Sequence, residues 1–234
     1  MGLNLITGAT GWLGIRLTRI LHEGSGDIAC YRRPEPDLKV RCFVQPGIDE
    51  SPLRKISERI EIVRGDLTRR DEVIPFCKDA EGATLFHIAG IIHPRRVSEY
   101  YALNADGTRH ALQAAEAAGV RRAIVISSNS PFGNNPHKDH LFTEESPYNP
   151  LAPYNASKAG GDHAVRAYHH AYGLPVTITN CANNYGPYQF PEKVLPVFIT
   201  RALNDEELPV YESSDNTREW IHVDDHCSAI AAVL

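Results

Sequence analysis

Tyr154 and Lys158 stand four residues apart in YNASK, a spacing that puts both side chains on one face of a helix. A tyrosine is a poor base near neutrality because its ordinary pKa is about 10, but a nearby ammonium favours the phenolate. Lowering that pKa by ~3 units takes about 4 kcal/mol of differential stabilisation, within reach of the lysine and a second positive charge acting together. A second pair of polar groups stands in SSNSPFG, where Ser127 and Ser128 close the apolar run Ala123 to Ile126 and Asn129, Ser130 and Pro131 turn the chain. Hydroxyls at the end of a buried strand suit a site rim. The two residues after them are neither acid nor base.

Those groups need a frame. Short apolar runs at Leu3 to Thr7, Lys39 to Val44, Ile60 to Val63, Thr84 to Ala89, Ala123 to Ser127 and Val176 to Asn180 read as strands. Several are apolar at consecutive positions, as strands covered on both faces must be. Helical patterns lie between them, notably Ala105 to Ala118, stopped by Gly119, and Ala156 to Ala171, stopped near Gly173 and Pro175. The alternation predicts an α/β fold, a Rossmann-like doubly wound parallel sheet. On the second helix Ala156, Gly160, Ala164, Ala167 and Ala171 make a small-residue face suited to close packing on the sheet or a partner helix. The polar stretch Glu23 to Leu38 reads as a surface excursion.

LNLITGATGWLG sets Gly8, Gly11 and Gly14 between the first strand and a helix. Glycines there allow a tight turn and close backbone approach to a pyrophosphate, whose charge meets the helix N-terminus. The spacing is G-x-x-G-x-x-G. In this strand-turn-helix setting it predicts dinucleotide binding. After Asn180 the composition shifts to NYGPYQFPEK, and the chain closes on an apolar helical segment, Asp225 to Leu234. The expected organisation is a dinucleotide-binding domain over 1–180 and the start of a smaller, truncated C-terminal substrate-binding region over 181–234, with the part from about 219 returning to the first domain.

The motif set T-G-x-x-G-x-x-G, Asp66-Leu67, HIAG at 87 to 90, NADGT at 104 to 108 and Y-x-x-x-K resembles the extended short-chain dehydrogenase/reductase family. TNCANNYGPYQFPEKVLPVF and LPVYESSDNTREWIHVDDH are similar to nucleotide-sugar epimerases and dehydratases, near the dTDP-glucose 4,6-dehydratases. The resemblance runs over essentially the whole chain. It implies NAD as cofactor, with NADP not excluded, held by Gly8, Gly11, Trp12, Leu13, Gly14, Asp66, Leu67 and Ala89 together with Tyr154 and Lys158. It implies Tyr154 as base, Lys158 as the residue that holds the nicotinamide ribose and tunes the tyrosine, and Ser128 as the hydrogen-bond partner of the sugar oxygen. It further implies Asn184 and Arg218 at a diphosphate, and Lys193 and Tyr211 near the nucleotide. A homodimer built on the helices beginning near Asn104 and Tyr154 is implied too.

In the resembling 4,6-dehydratases the two residues after the site hydroxyl are Asp and Glu, which do the acid-base work of losing water. Here they are Asn129 and Ser130, and neither titrates near neutrality. What remains is the redox core, so the expectation is an NAD(P)-dependent epimerase, 4-epimerase-like, acting through a transient keto-sugar. An atypical 4,6-dehydratase and a non-catalytic dinucleotide-binding protein are the alternatives. Two further departures bear on this. The second strand runs into Val44-Gln45-Pro46, without the acid or base that would set NAD against NADP. HIAGIIHP has Ile91-Ile92 where UDP-galactose 4-epimerases place a lysine, which counts against that substrate.

The formal charge of −5 and the absence of a basic stripe argue against nucleic acid as partner. No apolar run approaches the ~18 residues that cross a bilayer, and strand-like sequence begins at once, leaving no room for a signal peptide. Five scattered cysteines without a C-x-x-C predict neither disulfides nor zinc, and a cytoplasmic location. The spacing His137-x-x-His140, with Asp139 between, falls in loop-like sequence and positions no third ligand, so no metal is expected.

Overall fold

The computed structural model describes residues 2–26, 38–135, 141–210 and 217–234. The excursion before the second strand, the His137 to His140 cluster, Cys30 and Tyr211 fall wholly or mostly outside the described residues. Six parallel strands, β1 (Leu3–Thr7), β2 (Lys39–Val44), β3 (Glu61–Arg64), β4 (Thr84–His87), β5 (Arg122–Ser128) and β6 (Val176–Cys181), form one sheet in the order β3-β2-β1-β4-β5-β6. That is the doubly wound order, and it reverses between β1 and β4, which opens a crevice there.

Successive strand residues point to opposite faces, and both faces are buried. Leu5, Phe43, Leu85, Ala123 and Val125 pack on one side with Ala111, Leu112 and Ala115 of α5 (Thr108–Ala117) and Val165 of α6 (Pro153–Tyr172). Ile6, Val40, Cys42, Phe86, Ile124 and Ile126 pack on the other with Leu17, Ile20 and Leu21 of α1 (Trp12–Glu23). Cys227, Ile230 and Ala231 of the last helix, α8 (Val223–Ala232), join this second cluster. The short helices α2 (Ser51–Arg54) and α3 (Arg70–Val73) lie in the β2–β3 and β3–β4 connections.

One local expectation is corrected, and for another one of its two alternatives falls away. The helix expected to begin at Ala105 starts at Val97, as α4 (Val97–Tyr100), and passes through a π-helical turn, Tyr101–Gly107, before α5. Nothing in α4 is buried, so its start leaves no apolar period in the sequence. The small-residue face of α6 does not meet the sheet. The packed side holds Ser157, Lys158, Ala159, Gly161, Asp162 and Val165, while Ala167 and Ala171 are exposed. Gly161 decides this. A Cβ there would lie 2.5 Å from the Asn104 carbonyl oxygen, so only glycine lets α6 lean on the π turn.

Beyond β6 the chain forms β7 (Asn183–Tyr185) and β8 (Trp220–His222), a parallel pair, with α7 (Val194–Leu203) between them. Cys42, Cys77, Cys181 and Cys227 are free thiols. Among the described residues no helix is long and apolar enough to cross a membrane, and no His, Cys, Asp and Glu cluster could hold a metal.

Candidate active site

The glycine turn closes at the β1/β4 crevice. A Cβ on Gly8 would come within 2.7 Å of the Ala89 amide nitrogen, and one on Gly14 within 2.1 Å of the Gly8 carbonyl oxygen, so neither position accepts a side chain. Gly11 caps α1 without a side-chain hydrogen bond, and the first turn holds no acid. The N–H groups of Trp12, Leu13 and Gly14 therefore have no intrahelical partner and favour an anion. The indole Nε1 of Trp12 donates to the Pro187 carbonyl, 2.8 Å away, tying the C-terminal part of the chain to this turn. Asp66 accepts from the Thr68 backbone N–H and hydroxyl, both at 2.8 Å, and Leu67 is buried. A small cleft of about 280 Å³ beside them is lined by Gln45, Pro46, Asp66, Arg69 and Glu72, with Arg69 paired to Glu72 at 3.2 Å.

Ser128, Tyr154 and Lys158 come together where β5 ends against the start of α6. Pro153 opens the helix after an extended Ala152, a conformation its fixed φ favours. The Tyr154 ring packs edge-on to Tyr100 with centroids 5.8 Å apart. Lys158 is 8% exposed and donates from Nζ to the Ile126 carbonyl at 3.1 Å. The Ser128 hydroxyl oxygen accepts the Ser130 N–H at 3.1 Å, which leaves its own proton free to donate. Burial pushes Tyr154 above the ordinary tyrosine range; the Ser128 hydroxyl pulls it back, and Cys181, Tyr100 and Asp162 add to the rise. Burial pushes Lys158 down, opposed by Asp162 and Cys181. In the protein without ligands, desolvation of the phenol outweighs its polar neighbours.

Below this cluster, the 1% exposed carboxylate of Asp162 accepts from the Ser127 hydroxyl at 2.8 Å, the Tyr148 hydroxyl at 3.0 Å and Asn180 Nδ2 at 3.5 Å. Burial raises its pKa, and these donors and Lys158 oppose the rise. The Asn104 amide accepts the Ile91 N–H at 2.8 Å and donates to the Ile91 carbonyl and the Ser157 hydroxyl at 3.1 and 3.0 Å. His87 bridges Thr7 and Thr108, its Nδ1 2.9 Å and its Nε2 3.0 Å from their hydroxyls, and burial pushes it down to about 3. Thr108 donates to the Asn104 carbonyl, so Nε2 carries the histidine proton. Asn129 is exposed, and the Ser130 Oγ is buried without a partner.

The expected substrate residues are less gathered. Asn184 lies in β7, next to Cys181, whose backbone is in register with Ser128. Its Nδ2 reaches the Ala182 carbonyl at 3.2 Å and the Cys181 sulphur at 3.4 Å, while its Oδ1 faces His226 Nδ1 at 2.8 Å. Lys193 sits just before α7, 3.5 Å from Glu192 and 3.4 Å from His93 Nε2. Arg218 is exposed and donates to the Thr217 carbonyl, one residue before Glu219 meets Asn183. Sequence reasoning missed Asp162, His87 and His226. Asp162 had a signal: a carboxylate one turn beyond Lys158 on the same helix face.

The model of the NAD dependent epimerase/dehydratase family matches residues 4–234. The uncharacterized protein y4nL of Sinorhizobium fredii is 41% identical over 229 residues, covering 97% of this chain and 62% of the relative. A dTDP-glucose 4,6-dehydratase of Streptomyces niveus is 40% identical over 234 residues, covering 98% of this chain and 68% of the relative. The crystal structure of a dTDP-glucose 4,6-dehydratase from Streptomyces venezuelae, solved with NAD bound, superposes with a TM-score of 0.82 at 36% identity, over 100% of this chain and 71% of that one. The chain therefore spans between 62% and 71% of the length of these three relatives. With a family model matched across nearly its whole length and relatives of this identity, the chain belongs to the NAD dependent epimerase/dehydratase family.

Proposed function

We propose that the chain acts on a nucleotide-diphosphate sugar as an NAD-dependent, 4-epimerase-like enzyme, oxidising one sugar hydroxyl to a transient ketone and restoring it inverted. NAD, when bound, supplies the hydride acceptor and donor and, in its oxidised form, a positive charge. The uncapped, acid-free start of α1 over Gly8, Gly11 and Gly14 fits its pyrophosphate. The Gln45 cleft carries two acids, Asp66 and Glu72, against one arginine already paired, which favours the ribose hydroxyl of NAD over the phosphate of NADP. Tyr154 takes the sugar hydroxyl proton and returns it when the ketone is reduced. Ser128 donates its free proton to the sugar oxygen. Lys158, fixed on the Ile126 carbonyl, is assigned to the cofactor ribose, Asn184 and Arg218 to the diphosphate, and Lys193 and Tyr211 to the neighbourhood of the nucleotide.

The observation that carries this reading is the Ser128-Asn129-Ser130 sequence at the strand end. Removing a proton from C5 while protonating a departing C6 hydroxyl needs an acid and a base that titrate near neutrality, and an amide and a hydroxyl do not. Inversion needs only rotation of the ketone between two passes of the same Tyr154 proton. A second reading, an atypical 4,6-dehydratase, draws on the name of the 40% identical relative and on the buried, unpartnered Ser130 Oγ. Incubating the NAD-loaded protein with UDP-, dTDP-, GDP- and CDP-sugars, with products resolved by NMR, tests the proposal. An inverted sugar that disappears in Tyr154→Phe supports it, a 4-keto-6-deoxy product favours the second reading, and cofactor binding without turnover of any sugar favours a binding protein. A homodimer through α5 and the outward face of α6, where Tyr172 is exposed, completes the proposal, and light scattering that gives a monomer mass would refute it.

A further inference from the structure

His226 lies near the start of α8, 2% exposed, with its Nδ1 2.8 Å from Asn184 Oδ1. The other end of that amide faces the Ala182 carbonyl at 3.2 Å. A carbonyl oxygen only accepts, so the amide atom facing it is nitrogen, and the amide oxygen must face His226. An amide oxygen also only accepts, so His226 carries its proton on Nδ1. Its Nε2 is then a bare lone pair, and that atom is buried with no partner. Burial, which pushes the ring down to about 4, keeps a second proton off it.

We propose that His226 is a positioning residue for the substrate diphosphate, its Nδ1–H locking the Asn184 amide so that N–H groups and not the oxygen face the anion. This rests on the nucleotide-sugar reading above. One Asn184 N–H is held by the Ala182 carbonyl, and the other meets only the Cys181 sulphur at 3.4 Å, a weak acceptor beside the strand position of Ser128. The weakly held N–H is the one released to a phosphate oxygen. With His226 gone, only the Ala182 carbonyl still orients the amide, the Oδ1 end loses its donor, and the N–H meant for the phosphate is less well aimed.

Two measurements on the full, NAD-loaded chain test this. Nitrogen-15 NMR of the histidine rings is expected to show His226 with a protonated Nδ1 and a bare Nε2; a bare Nδ1 would overturn the lock itself. Calorimetric titration with the free diphosphates dTDP, UDP, GDP and CDP is expected to show, for whichever the parent binds, affinity about tenfold weaker in His226→Leu, as loss of one aligned hydrogen bond implies. His226→Asn, whose amide nitrogen can donate in place of Nδ1, should recover most of that loss. In the Asn184→Ala background the His226→Leu change should have no further effect. An equal loss in both backgrounds would make His226 merely structural and overturn the proposal. If the ring has the expected proton but wild-type protein binds none of the four diphosphates, the nucleotide-sugar reading fails, and the role given to His226 fails with it.

Discussion

Replacing Ser128 with alanine removes the hydroxyl that pulls the Tyr154 phenol toward ionisation. The Ser128 oxygen already accepts the Ser130 N–H, so the contact it offers a phenolate is a donated O–H, a bond to a charged acceptor. Such bonds are worth ~1.5–3 kcal/mol, so losing one raises the phenol's pKa. Tyr154 is only part-buried, and water in place of the hydroxyl recovers some of this, so the effect is expected at the lower end of that range. The sign follows from the role: a base acts as phenolate, turnover rises with pH through the Tyr154 pKa, and Ser128→Ala moves that limb to higher pH. The assay is the pH profile of kcat/KM for the NAD-loaded enzyme, which reports the site before the sugar takes the Ser128 proton, paired with ultraviolet titration of the phenolate as the difference between each protein and its Tyr154→Phe form. A limb that stays in place while kcat/KM falls equally at every pH would refute the reasoning, leaving Ser128 as a contact to the sugar alone.

Acid should destabilise the fold through two histidines held neutral. His87 and His226 are pushed down from 6.5 to about 3 and about 4, so below 6.5 the unfolded chain binds protons the folded chain refuses. Stability is then full above 6.5 and falls as pH drops toward 4, at up to about 1.4 kcal/mol per pH unit for each histidine, and a melting temperature unchanged between pH ~7 and ~5 would contradict this. Gly14→Ala forces a methyl to within 2.1 Å of the Gly8 carbonyl and must open the turn, so NAD binding measured by calorimetry should be lost while α/β circular dichroism persists. The double change Asn129→Asp and Ser130→Glu restores an acid and a base at the strand end and should yield a 4-keto-6-deoxy sugar that the parent does not make, visible by NMR.

The sheet was legible because a strand buried on both faces has little choice of composition: Leu5 and Ile6 serve opposite clusters, as do Leu85 and Phe86. The glycine turn was legible because Gly8 and Gly14 are sterically required. The π turn was not, since it depends on Asn104 bonding Ile91 and Ser157, contacts remote in sequence. The packed face of α6 was not legible, because Ala167 and Ala171 suit the sheet or a partner helix equally, whereas the approach to the π turn is granted by Gly161 and the buried polar groups Ser157, Lys158 and Asp162 follow from it. His226 was invisible for a related reason: on an apolar helix face nothing in sequence distinguishes a histidine that locks Asn184 from one that fills space.

The central claim, that this site oxidises and inverts without dehydrating, is tested most directly by running the reaction in D2O and mapping deuterium in the product. Tyr154 exchanges only the hydroxyl proton, and the hydride returns to the carbon it left. The account therefore predicts an inverted sugar with no carbon-bound deuterium and its C6 hydroxyl intact. Deuterium at C5 together with loss of the C6 oxygen would contradict it, because a C–H proton would have been removed by a base that Asn129 and Ser130 do not provide.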